Sequence, residues 1–281
     1  MSKFATALAA GTLAATAALS DTVRRDGLDI WYETRGDVRA GTPLLMLHGG
    51  LMSAEMTFAE LAEALSDHPV IWVEQQLHGH TGDRPAPMSM DSMLKDTLAV
   101  LDALEVGKVH VIGFSLGGSL ALDMAIHAPD RVASAVILSA SADETTDTRR
   151  EIQVMQENPG TPPTAGALPL LPTQDDFARM TAGYAGSPAG PDAMARAMAA
   201  MQAVGTTASG RTEAELAAIE VPVLVVIGDR DFVLPAAAAH VAETVQDGWL
   251  AVLPNHTHMQ VAQDAAALAP LIRARIGAGP D

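Results

Sequence analysis

Val109-His110-Val111-Ile112-Gly113-Phe114-Ser115-Leu116-Gly117-Gly118 sets a Gly-x-Ser-x-Gly between two contrasting patterns. The apolar, valine-bearing run before it reads as a buried strand, and Ser119-Leu120-Ala121-Leu122-Asp123-Met124-Ala125 after it reads as a helix. Strand, sharp turn and helix place the serine at an apex. Glycines two before and two after it leave room for a strained turn that a Cβ would obstruct, and such a turn pushes the hydroxyl out of the sheet. Gly-x-Ser-x-Gly also recurs in ordinary glycine/serine loops, and it is the flanking strand and helix that set this one apart. Ser115 is therefore a candidate nucleophile, provided that a base and an orienting acid stand elsewhere in the chain.

The same rhythm extends outward in both directions. Residues 28–33 alternate behind an Asp26-Gly27 turn and predict a half-buried strand. Unbroken apolar runs at 43–47, 70–73, 109–112, 132–138, 221–227 and 250–253 suit strands covered on both faces. Helical spacing appears at 55–65, 91–105, 235–245 and 261–276. Strand alternating with helix predicts an α/β fold with a mostly parallel, doubly wound sheet. The rhythm stops at 141–220, where clusters of proline and glycine at 159–163 and 186–191 set off helix-like segments at 175–184 and 192–204. A helical cap over 141–220 is expected there, inserted into a core formed by 21–140 and 221–281. Met180, Met194, Met198 and Met201 read either as a flexible apolar lining or as core methionines at helical spacing.

Composition narrows the function. The chain has 281 residues, 48% hydrophobic and 18% charged, enough for one large domain with a substantial core. A formal net charge of −17 repels nucleic acid and anionic lipid, so neither is an expected partner, and the charge itself favours solubility. Without cysteine there is no disulfide, thiolate metal site or cysteine nucleophile. Outside the N-terminal stretch no run has the length of a membrane-spanning helix. Residues 1–20 read as an export signal or as an alanine-rich extension; the first would place the protein in the periplasm or outside the cell, the second in the cytoplasm. Oligomeric state is not written in the sequence.

The remaining chemistry lies after the last two strand-like runs. The run ending at Ile227 opens into Gly228-Asp229-Arg230-Asp231, and the run ending at Leu253 opens into Pro254-Asn255-His256-Thr257-His258-Met259. Both loops leave the carboxyl edge of the sheet, the edge that presents Ser115, in the order Ser, Asp, His. Position alone leaves Asp229 beside Asp231 and His256 beside His258.

With His48-Gly49-Gly50, these segments make the chain resemble the α/β-hydrolase superfamily from about residue 26 onward, in particular its cap-bearing small-molecule esterases and perhydrolase-like members. The resemblance implies Asp231 as the acid, in the family's Gly-x-x-Asp, and His258 as the base, with Thr257 where the family usually has glycine. It implies an oxyanion hole from the backbone N–H of Leu116 and from the loop after His48-Gly49, at Gly50 or Leu51, with Gly50 the expected donor. His48 itself is expected to brace that loop. Residues 74–83 match a glycine-rich loop of the family, but Leu77 stands where the family often has glycine, so this loop either takes another path or carries strain. His78 and His80, with Glu74 and Asp83 nearby, lack a third convergent ligand, so no metal is expected, and no cofactor is implied.

Together these readings predict a serine hydrolase that cleaves a small carboxylic ester or related acyl compound through an acyl-enzyme. The expected partner is a small-molecule acyl substrate. C–C bond hydrolysis and cofactor-free peracid formation use the same three residues. A non-catalytic ligand sensor on the same fold is the alternative from another class.

Overall fold

The computed structural model describes residues 18–143, 146–158, 160–207 and 210–277. Its strands are β1 (Leu19–Arg25), β2 (Leu28–Arg35), β3 (Leu44–Leu47), β4 (Val70–Val73), β5 (Val109–Phe114), β6 (Val132–Leu138), β7 (Val223–Gly228) and β8 (Gly248–Leu253). They form one eight-stranded sheet in the order β1-β2-β4-β3-β5-β6-β7-β8. The pairs β1–β2 and β2–β4 are antiparallel; every pairing from β4 through β8 is parallel. This is the mostly parallel, doubly wound sheet expected from the apolar runs.

The helices are α1 (Ala54–Ala64), α2 (Met90–Ala103), α3 (Leu116–His127), α4 (Arg150–Glu157), α5 (Gln174–Gly183), α6 (Ala193–Thr207), α7 (Glu213–Ala217), α8 (Pro235–Thr244), α9 (His258–Gln263) and α10 (Ala265–Gly277). The period of two along each central strand divides the core into two layers. Val109 and Val111 of β5, Leu45 and Leu47 of β3, and Val223 and Val225 of β7 face α2, α3 and α8. Ile112, Leu44, Met46, Leu224 and Val226 face α1, α9 and α10. Among the described residues no helix is long and apolar enough to cross a membrane.

Three elements differ from expectation. β1 gives no apolar run, because it is an exposed edge strand, LSDTVRR, paired only to β2 through the Asp26-Gly27 turn. Both turn residues have positive φ, 49° and 82°, the geometry that lets a two-residue loop follow the twist of a hairpin. Leu19 and Ser20 belong to this strand, whereas residues 1–17 of the expected leader or extension lie outside the described residues. The single helix expected at 261–276 is two helices. Asp264 separates them: its Oδ1 accepts the Ala267 N–H and starts α10 anew. Between β6 and β7, α4 and α7 join the two helices expected there, α5 and α6.

Candidate active site

β5 ends at Phe114, and Ser115 turns the chain into α3 with φ 52° and ψ −115°. The backbone keeps its hydrogen bonds through the turn: Ser115 N donates to Leu138 O at 2.9 Å, and Ser115 O accepts the Ser119 N–H at 2.9 Å. A non-glycine residue held at such a φ stores about 1–3 kcal/mol, which the surrounding structure must over-determine. The glycines of the motif permit close packing. A Cβ on Gly113 would stand 1.9 Å from Gly117 O, and one on Gly117 would stand 1.9 Å from Leu47 O. Gly117→Ala therefore forces α3 away from β3. It is expected to cost about 1–3 kcal/mol of stability, read as a lower Tm. An unchanged Tm would contradict this approach of helix to strand.

His258 opens α9 and Asp231 lies in the loop after β7. His258 Nε2 is 3.0 Å from Ser115 Oγ, and His258 Nδ1 is 2.8 Å from Asp231 Oδ1. A carboxylate oxygen can only accept, so Nδ1 carries the ring proton and Nε2 is left to accept the serine hydroxyl. Asp231 is fully buried, and its Oδ1 also accepts the Val233 N–H at 3.0 Å. Oδ2 is buried with no hydrogen-bond partner among the described residues. Phe232 stacks on the His258 ring with centroids 3.9 Å apart, and Phe114 meets the ring at 4.9 Å. The imidazole is thus fixed in orientation and shielded by two aromatic rings.

The neighbouring candidates turn elsewhere. Asp229 Oδ1 accepts the Asn255 N–H at 2.6 Å as a loop cap. His256 holds Pro254 O through Nδ1 at 2.8 Å and Asp264 through Nε2 at 3.0 Å. The two loops are joined by backbone bonds, Asp229 N to Leu253 O and Arg230 N to His256 O. Gly228 makes this possible, because a Cβ there would lie 2.0 Å from His256 O. That contact is a physical reason for a glycine three residues before Asp231.

The loop after β3 flanks the serine on its other side. Met52 N turns back to Gly49 O at 3.3 Å, and Leu51 adopts φ 61°. Leu116, as the first helical residue of α3, has no intrahelical acceptor for its N–H. The positive end of the helix dipole adds to its pull on a negative charge at Ser115. His48 is buried beneath: Nδ1 donates to Gly49 O at 2.8 Å and Nε2 accepts the Gln75 N–H at 3.0 Å. The ring is a brace between the loops after β3 and β4. Glu74 is a second brace, fully buried; its Oε1 accepts Ala54 N, and its Oε2 accepts the backbone N–H and Nδ1 of His80. Leu77 takes φ 68°, so this loop follows the glycine-like path and carries the strain of a Cβ. His78 donates from Nδ1 to Gln76 O beside His48, while His80 stacks on Trp31, so the two histidines serve different partners.

Burial holds His48 down to a pKa of about 3 and His78 to about 4. For His48 there is a second reason: a proton on Nε2 would face the Gln75 N–H, donor against donor. Both pKa values are depressed below that of the unfolded chain, so below about pH 6.5 the unfolded state binds protons that the folded state refuses. Stability is then lost as pH falls from about 6.5 toward the folded values, by about 1.4 kcal/mol per pH unit for each ring. Urea titrations at pH 7 and pH 5 are expected to show a large fall in stability, and His78→Asn is expected to flatten it. Equal stability at the two pH values would contradict the neutral buried pair.

Two contributors carry no sequence signal. Arg149, just before α4, donates from Nε to Asp231 O at 2.6 Å and from Nη2 to Asp229 O at 2.9 Å, and its backbone N–H bonds Phe232 O. It clamps the acid loop from outside, yet in sequence it is one of two adjacent arginines that read as solvated charge. Phe232 reads as an ordinary loop apolar residue until its ring is seen on His258. The four methionines divide. Met180 is buried and Met194 half-buried in the layer of α1, while Met198 is 51% exposed. Met201 reaches the loop after β3, where a Cβ on Gly50 would lie 2.0 Å from its Cε.

A family model for the α/β hydrolase fold matches residues 42–263, which span Gly50, Ser115, Asp231 and His258. The chain belongs to the α/β-hydrolase fold family. It is 34% identical over 122 residues to a putative non-heme haloperoxidase of Mycobacterium phage D29, a match covering 43% of this chain and 42% of that relative. The chain thus spans less than half the length of this relative. It is 28% identical over 250 residues to the putative carbamate hydrolase RutD of Pseudomonas savastanoi pv. phaseolicola, covering 82% and 92%. Among solved structures, Est816, described as an N-acyl homoserine lactone degrading enzyme, superposes with a TM-score of 0.74. It has 22% identity over 90% of this chain and 99% of its own, a likeness of fold.

Proposed function

We propose that this α/β-hydrolase cleaves a small carboxylic ester or related acyl compound, with Ser115 as nucleophile, His258 as general base and acid, and Asp231 as the group that orients His258. The observation that carries this reading is the hydrogen-bonded chain from Ser115 Oγ through His258 to Asp231, at 3.0 and 2.8 Å, with the serine on a strained elbow. His258 Nε2 takes the hydroxyl proton as Oγ attacks the carbonyl carbon. The negative charge that develops on the carbonyl oxygen is received by the N–H groups of Leu116 and Gly50. The C–O bond to the leaving group breaks, and the proton on Nε2 passes to the departing oxygen. A water molecule gives a proton to Nε2 as its oxygen attacks the acyl carbon; the bond from that carbon to Ser115 Oγ then breaks, Oγ takes the proton back from Nε2, and the acid is released. Asp231 stabilises the imidazolium in both halves.

The test is a panel of p-nitrophenyl esters, a lactone and a peptide amide, run with hydroxylamine as a competing nucleophile. Ester turnover is expected, with part of the acyl group diverted to hydroxamate. Folded protein that turns over none of the panel overturns the reading as an ester hydrolase.

A further inference from the structure

The cap places one side chain on the flank of the serine opposite the base. α6 turns Ala193, Ala197 and Val204 inward, all nearly fully buried, and Met201 lies on the same stripe. The helix is anchored by Arg196, which pairs with Asp83 in the loop after β4 and with Ala189 O. At Gly50 a Cβ would lie 2.0 Å from Met201 Cε and 2.5 Å from its Sδ, so the thioether occupies the space above the Gly50 Cα. The sheet order puts the Gly50 loop, after β3, on one side of β5 and the loops after β7 and β8, with Asp231 and His258, on the other.

Those positions divide an ester between the two flanks. The leaving oxygen must reach His258 Nε2 to receive its proton. The carbonyl oxygen lies between the N–H groups of Gly50 and Leu116. The remaining substituent of the carbonyl carbon, the acyl chain, is directed to the β3 flank, beneath Met201. We infer that Met201 is the residue that determines acyl length, closing that flank so that the site takes short acyl groups. This rests on the reading of Ser115, His258 and Asp231 as the reacting residues. Met201→Ala removes Cγ, Sδ and Cε and opens the flank; Met201→Phe fills it further.

The readout is a ratio within each variant, hexanoate over acetate p-nitrophenyl ester, so a general loss of activity cancels. Met201→Ala is expected to raise the kcat/KM ratio by about tenfold or more, the scale on which a pocket discriminates methylenes, and Met201→Phe to lower it. Binding of the same intact esters is measured by calorimetry in a Ser115→Ala background, where the ratio of Kd values is expected to move in the same direction. An unchanged binding ratio in both Met201 variants overturns the assignment. A shifted binding ratio together with an absence of turnover in the parent enzyme leaves Met201 as the limit of the site and overturns the hydrolytic reading instead.

Discussion

Ser115→Ala is expected to lower kcat/KM for a p-nitrophenyl ester by about 10⁵–10⁶, the scale seen when a serine nucleophile is removed from such a unit. The replacement leaves the fold intact for a stated reason: the two backbone bonds of the elbow, to Leu138 O and from Ser119 N, do not involve the side chain. Alanine at φ 52° is no more strained than serine there, so Tm is expected to stay within a few degrees. What disappears is the atom 3.0 Å from His258 Nε2. Activity within tenfold of the parent would mean that another group attacks the substrate.

The second large effect is Asp231→Asn, expected to lower kcat by about 10⁴ with little change in KM. Asparagine keeps the size of the side chain but brings an NH₂ that can donate to His258 Nδ1. The ring then holds its proton on Nε2, which donates toward Ser115 Oγ and no longer accepts from it. Asp231 is fully buried, so bulk water does not reach the position to take over its role. Asp229→Asn is the control. Its Oδ1 caps the Asn255 N–H, a bond that the amide oxygen of asparagine can still accept, so kcat is expected to stay within a few-fold. A larger loss in Asp229→Asn than in Asp231→Asn would reverse the assignment of the acid.

The sheet was legible because its central strands are buried on both faces and therefore unbroken in hydropathy. β1 was hidden by the same logic: at an exposed edge nothing requires apolar residues, and LSDTVRR reads as loop. The split between α9 and α10 was obscured because the hydrophobic period runs on through Asp264. One residue makes both the bond that ends α9, from its backbone N–H to Gln260 O, and the bond that begins α10, from the Ala267 N–H to its side chain. At the site, motif spacing brought attention to the two loops that meet Ser115, but a pair of aspartates and a pair of histidines two residues apart differ only in which way each side chain turns. That direction is set by the contact of Gly228 with His256 O and by the capping of Asn255, both of which join loops distant in sequence. Arg149 lies still further from the loop it clamps, 82 residues before Asp231, and nothing local marks it. The methionines show the limit of periodicity: α6 carries Met198 outward and Met201 inward, and only the packing of the helix separates a solvent-facing thioether from one above Gly50.

The central claim is that Ser115 is a nucleophile activated by His258. It is tested most directly by reacting the folded protein at neutral pH with a fluorophosphonate and mapping the adduct by peptide mass spectrometry. The account predicts one stoichiometric adduct on the peptide that contains Ser115, absent in Ser115→Ala and formed far more slowly in His258→Ala. An adduct on another residue, or none on the folded protein, would contradict it.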